Sequence, residues 1–210
     1  MSKREFVCYH GTDINSARDI VKNQNFTDSE DDSDWLGKGV YLYDCKENAL
    51  EYITKKFIEK YGKDKLDYNN LLKKYQILVV HISIEDNNIF DFNDFQGKYK
   101  YVFLCNGCIN KIKNNPRYLA QRYKDGFMLK YLVEETNFFK FDALTNIFVR
   151  NLPEKNTELE ANGFKSRIAY DIKQRYICVS NHKCITKVEY LKEDLKEKFE
   201  IINDIYNWGV

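Results

Sequence analysis

Proline is nearly missing from this chain: the 210 residues hold only two, beside 31% charged and 15% aromatic residues. That is the make-up of a folded domain, and it excludes an extended disordered segment. Long apolar runs are missing too. No window approaches the ~20 residues a bilayer crossing requires, so no membrane partner is expected. There is almost no net charge: 33 basic residues face 32 acidic ones, leaving +1, so no global field steers the chain toward nucleic acid or a membrane. The opening MSKREFVCYHG lacks the apolar core of a secretory signal, and a cytoplasmic location is expected. A disulfide framework is not suggested by six cysteines in a chain of this size, which read as reduced thiols. Cys105 and Cys108 form a CxxC with no second one to complete it. Zinc there would have to recruit Cys178, His182 or Cys184 from afar, whereas structural zinc takes two close ligand pairs, so no metal is expected.

What is present is organised around Cys8 to Tyr52. An apolar run ends at His10-Gly11-Thr12 and a helix follows, capped by Thr12 or Asp13 and running from Ile14 to about Lys22. The stretch 28–34, DSEDDSD, is almost wholly acidic and reads as a solvated loop. Gly37-Lys38-Gly39 then leads into a short strand, Val40 to Tyr43, and a helix starting at Asp44. Both strand ends set polar or aromatic groups beside a glycine, where a ligand can approach the backbone, and two such breaks suggest one shared pocket.

Farther along, QILVVHISI (Gln76–Ile84) is the clearest strand, with His81 as a satisfied core histidine. Ile89 to Phe92 is a shorter one. Lys98 to Tyr131 is locally basic, eight Lys or Arg against one Asp, with Tyr99, Tyr101, Tyr118 and Tyr123 interleaved. It reads as a helical hairpin with solvated lysines; a single-stranded nucleic acid surface is the sharper alternative. Residues 138–150 carry one or two strands, and Tyr176 to Val179 gives a closing one. The tail is an amphipathic helix with Leu195, Phe199 and Ile202 on one side. No repeat or linker divides the chain, so a single domain spanning 1–210 is expected.

YHGT, GKGVYLYD and the pair Tyr41 and Tyr52, eleven residues apart, resemble the ADP-ribosyltransferases of the poly(ADP-ribose) polymerase type, with their histidine, tyrosine and glutamate. The resemblance implies an α+β fold with two small, mainly antiparallel sheets around an NAD cleft, flanked by helices. It also implies NAD as a consumed substrate: His10 on the adenosine ribose, Gly11 on the nicotinamide carboxamide, Thr12 supporting the turn, and Tyr41 and Tyr52 around the nicotinamide ring. The family's glutamate opens a late strand, and the nearest match, Gln174-Arg175-Tyr176-Ile177-Cys178-Val179, sets Arg175 at that position. A second likeness, of VRNLPEKN to bacterial relatives, assigns the carboxylate to Glu154, with Glu158 next to it in order of preference; surface roles for Glu154, Glu158 and Glu160 are the alternative.

The expected activity is mono-ADP-ribosylation of a macromolecular acceptor, protein or nucleic acid, by a toxin or phage-defence effector with an antitoxin or immunity partner. The alternatives are an inactive NAD- or ADP-ribose-binding module, kept open by Arg175, and an RNA 2′-phosphotransferase of the same fold.

Overall fold

The computed structural model describes residues 2–29, 35–113, 116, 124–135, 140–151 and 171–207. Seven strands form one sheet: β1 (Lys3–Asp13), β2 (Val40–Tyr43), β3 (Tyr75–Glu85), β4 (Ile89–Asp91), β5 (Ala143–Asn151), β6 (Asp171–Val179) and β7 (Ile185–Tyr190), in the order β4-β5-β6-β2-β1-β3-β7. Six helices accompany them among the described residues: α1 (Ile14–Asn23), α2 (Lys46–Tyr61), α3 (Tyr68–Leu72), α4 (Phe95–Ile112), α5 (Lys124–Glu135) and α6 (Lys196–Asn207). The chain is thus α+β, as expected.

The expected pair of separate sheets is replaced by one continuous sheet with a weak centre. β1 pairs with β3 along its whole length, from Lys3 opposite Glu85 to Asp13 opposite Tyr75. β5 and β6 pair from Ala143 opposite Val179 to Asn151 opposite Asp171. Between these two blocks, β1 and β2 share a single rung, Tyr9 opposite Tyr43. All pairings are antiparallel except β4 with β5.

Three apolar clusters hold the elements. Val40, Leu42, Val80, Ile82, Ile177 and Val179 pack with Ala17 of α1 on one face. Phe90, Phe92, Leu144 and Cys178 pack with Ile112 of α4 and Leu129 and Leu132 of α5. Leu50, Ile53 and Phe57 of α2 join Tyr43, Ile77, Leu195 and Phe199. The alternation of β2 follows from its pleat: Val40 and Leu42 enter the first cluster, Tyr41 and Tyr43 the other two.

Local signals explain several boundaries. Asp13 caps α1, its Oδ1 accepting from the N–H groups of Asn15 and Ser16 at 3.0 and 3.1 Å. α2 starts at Lys46, after the Asp44 of the sequence reading, with no side-chain cap at Cys45. Gly62 ends it at φ 91°, a conformation that suits glycine. The basic stretch is helical on both sides of the region 114–123, most of which lies outside the described residues. His81 departs from the expectation of a core residue: it is half-buried, with Nε2 3.1 Å from Glu189 of β7. Among the described residues no helix is long and apolar enough to cross a membrane.

Candidate functional site

β1 and β2 part beyond the Tyr9–Tyr43 rung, and a cavity of about 440 Å³ opens where they diverge. Its wall brings together His10 and Gly11 of β1, Gly39 to Tyr41 and Tyr43 around β2, Asn48, Tyr52, Lys55 and Lys56 of α2, and Gln174 and Tyr176 of β6. Thr27, Ser29 and Trp35 complete it from the connection between α1 and β2. Cavities of this size accommodate ligands of small-molecule and cofactor dimensions.

His10 spans the gap that the backbone ladder leaves. Its Nδ1 lies 2.9 Å from the carbonyl oxygen of Tyr41, which can only accept, so Nδ1 carries the proton and donates. The neutral ring therefore offers Nε2 as an acceptor. Burial pulls the imidazole below its ordinary value of 6.5, outweighing the opposing effect of the Tyr41 carbonyl. Phe26 fixes the ring from the side, edge-on at 5.3 Å.

Gly11 meets α2 at close range. A Cβ there would lie 2.6 Å from Ile53 Cγ2 and 2.9 Å from the Ala49 carbonyl oxygen. The missing side chain thus lets the helix carrying Tyr52 sit against β1, a use the motif alone did not reveal. Gly39 is equally confined: a Cβ would come within 2.7 Å of both Cys178 Sγ and the Val179 carbonyl oxygen. Thr12 does not line the cavity; it pairs with Gln76 on β3.

Tyr41 and Tyr52 both reach the cavity, in different ways. The Tyr41 hydroxyl turns back onto the glycine turn, donating to the Gly37 carbonyl and accepting from the Leu36 N–H, each at 2.8 Å. Tyr52 is 38% exposed at the wall, its ring 6.0 Å from that of Tyr43. Tyr43 continues to Tyr176 at 5.0 Å, and Tyr176 to Trp35 at 5.8 Å, so a run of aromatic rings follows the wall. Lys56 Nζ stands over the Tyr52 ring at 5.7 Å.

The late strand presents alternate side chains to the cavity. Gln174 and Tyr176 line the cavity, while Arg175 points out of it and lines a smaller recess with Arg4, Cys8, Asp44 and Asp91. Side chains alternate along a strand, so only one of two neighbours can face the cleft. The residue presented from β6 is the amide Gln174, 3% exposed, which donates through Nε2 to Glu51 Oε2 at 2.6 Å and accepts from the Tyr176 hydroxyl at 3.0 Å. Glu154, Glu158 and Glu160 lie outside the described residues. Sequence reasoning missed Gln174, Tyr43, Tyr176, Asn48, Lys55 and Lys56, and with them Thr27, Ser29 and Trp35. The two-residue period of β6 was the available signal for the first.

The six thiols are free. Burial pushes Cys8 up to about 12, with Asp44 adding to the shift. No group of three or more metal-ligating side chains occurs among the described residues.

A relative from Methanocaldococcus jannaschii, an uncharacterized protein, is 27% identical over 223 aligned positions, covering 98% of this chain and 97% of its own length. No family model and no solved structure matches the chain.

Proposed function

We propose that the chain is an NAD-dependent mono-ADP-ribosyltransferase acting on a macromolecular acceptor. The observation that carries this reading is convergence. His10, Gly11, Tyr41 and Tyr52, on two strands and a helix, line one cavity at the place where the sheet divides.

In this reading the neutral His10 accepts a hydrogen bond at Nε2 from a ribose hydroxyl of the adenosine half, because its Nδ1 proton is already committed to Tyr41. Tyr52 offers flat, uncharged area to the nicotinamide ring, beside Tyr43. Lys55 and Lys56, on the same wall, face the diphosphate, where ammonium groups form charge-assisted hydrogen bonds. Cleavage of the nicotinamide–ribose bond develops oxocarbenium character on the sugar. A carboxylate that orients the ribose hydroxyls stabilises that charge, and Glu154 is the residue assigned to this task.

One observation favours a second reading. The strand expected to supply a glutamate presents Gln174 to the cavity, which suits a module that binds NAD or ADP-ribose without turning it over. Incubation with NAD labelled in the adenylate half, plus cell lysate, separates the two. Transfer of label that His10→Ala and Tyr52→Ala both abolish supports the enzyme. Saturable NAD binding without release of nicotinamide supports the module, and absence of binding ends both.

A further inference from the structure

We propose that the outer face of α4 binds single-stranded nucleic acid. Phe95, Tyr99 and Phe103 recur every fourth residue on this helix and are 80%, 69% and 69% exposed; Val102 beside them is 54% exposed. Residues four apart share a face, so these three rings form one stripe. The core does not need them: the opposite side of α4, with Leu104, Cys108 and Ile112, already packs against α5 and β4. Three large aromatic side chains therefore stand in solvent on one helix, which is costly unless something covers them.

Charge indicates what covers them. The segment 95–113 holds Lys98, Lys100, Lys111 and Lys113 and no acidic residue, in a chain whose basic and acidic residues nearly balance overall. Lys98 and Lys113 are exposed along the aromatic stripe, which also carries Asn106 and Asn110. Flat rings that stack on any base, flanked by ammonium groups for phosphates and amides for base edges, match a single strand. In a duplex the base faces are already stacked and closed to such rings. If the chain is a transferase, the strand bound here is its acceptor; that clause alone rests on the NAD reading.

The test uses the full chain without NAD and a fluorescein-labelled single-stranded RNA or DNA of mixed sequence, about 20 nucleotides long to exceed a typical site. Fluorescence anisotropy at low salt should give saturable binding, at least about tenfold weaker for the matching duplex. Tyr99→Ala with Phe103→Ala should weaken strand binding at least about tenfold, since each stacked base contributes substantially. Lys98→Gln with Lys113→Gln should reduce the slope of log affinity against log salt by about 1.4. All four positions are exposed, so circular dichroism and the melting temperature should not change. Equal binding by wild type and the ring variant overturns the proposal. So does a wild-type dimer that the ring variant converts to monomer without any strand affinity, which would make the stripe a protein interface. Strand binding without label transfer from NAD removes only the acceptor clause. Label transfer to protein without strand binding removes the surface and leaves the transferase reading standing.

Discussion

Gln174 Nε2 donates to Glu51 Oε2 across 2.6 Å and so ties strand β6 to the helix that carries Tyr52. The Tyr176 hydroxyl holds the amide oxygen at 3.0 Å, and the Tyr206 hydroxyl reaches the other Glu51 oxygen at 3.4 Å. Two walls of the cavity are thereby joined by a charge-assisted bond. Gln174→Leu removes the donor and leaves a half-buried carboxylate with less compensation. It should destabilise the fold by about 1.5–3 kcal/mol, read by urea denaturation. A loss below about 0.5 kcal/mol would mean that solvent screens the pair.

Arg175 offers a contrast on the same strand. Because its side chain leaves the cavity, Arg175→Ala should change NAD binding by less than about twofold, within the small range typical of positions away from a site. Gln174→Ala should weaken it by at least about tenfold through loss of the wall. Isothermal titration of both variants checks this, and a reversed order of effects would show that Arg175, not Gln174, meets the ligand.

His10 makes stability depend on pH. Burial holds the folded imidazole below 6.5, so under that pH the unfolded chain binds more protons than the folded one. Stability should therefore fall as the pH drops through about 6.5 and keep falling until the folded value is passed. Melting temperatures between about pH 8 and pH 5 should decline more steeply for wild type than for His10→Gln, which lacks the titrating group. Parallel profiles would show that His10 ionises as freely as in the unfolded chain.

Gly11→Ala should damage packing before it touches any ligand. The new Cβ would press on Ile53 Cγ2 and on the Ala49 carbonyl, and the latter is backbone that cannot rotate away. Overpacking of this kind costs about 1–3 kcal/mol. Chemical denaturation checks the stability, and a crystal structure of the variant should show α2 displaced from β1. An unchanged midpoint would mean the contact relaxes freely.

Much of the architecture was legible because its signals are local. The β-branched run at Gln76–Ile84 and the apolar side of the tail, Leu195, Phe199 and Ile202, each report their own element. Partner choice among strands is not local, and nothing near Tyr9 or Tyr43 announces that they form the one rung between β1 and β2. The two glycine turns suggested one pocket and the family resemblance set both tyrosines there; Gly11, Gly39, Tyr41 and Tyr52 line one cavity. Arg175, the residue that the family match sets at the glutamate's position, turns to the smaller recess because the pleat sends neighbouring side chains to opposite faces. His81 misled for a related reason: its apolar neighbours lie in β3, but its own ring leans toward Glu189 at the rim.

The solitary Tyr9–Tyr43 rung gives the sheet a seam. On either side the strands are laced by long ladders; across it, cohesion comes from helices, from the His10 ring and from whatever occupies the crevice. A guest lodged there would act as a rivet between the two leaves, so occupancy should be felt as slower amide exchange along Val40–Tyr43 and as a stiffer sheet, far beyond the atoms it touches.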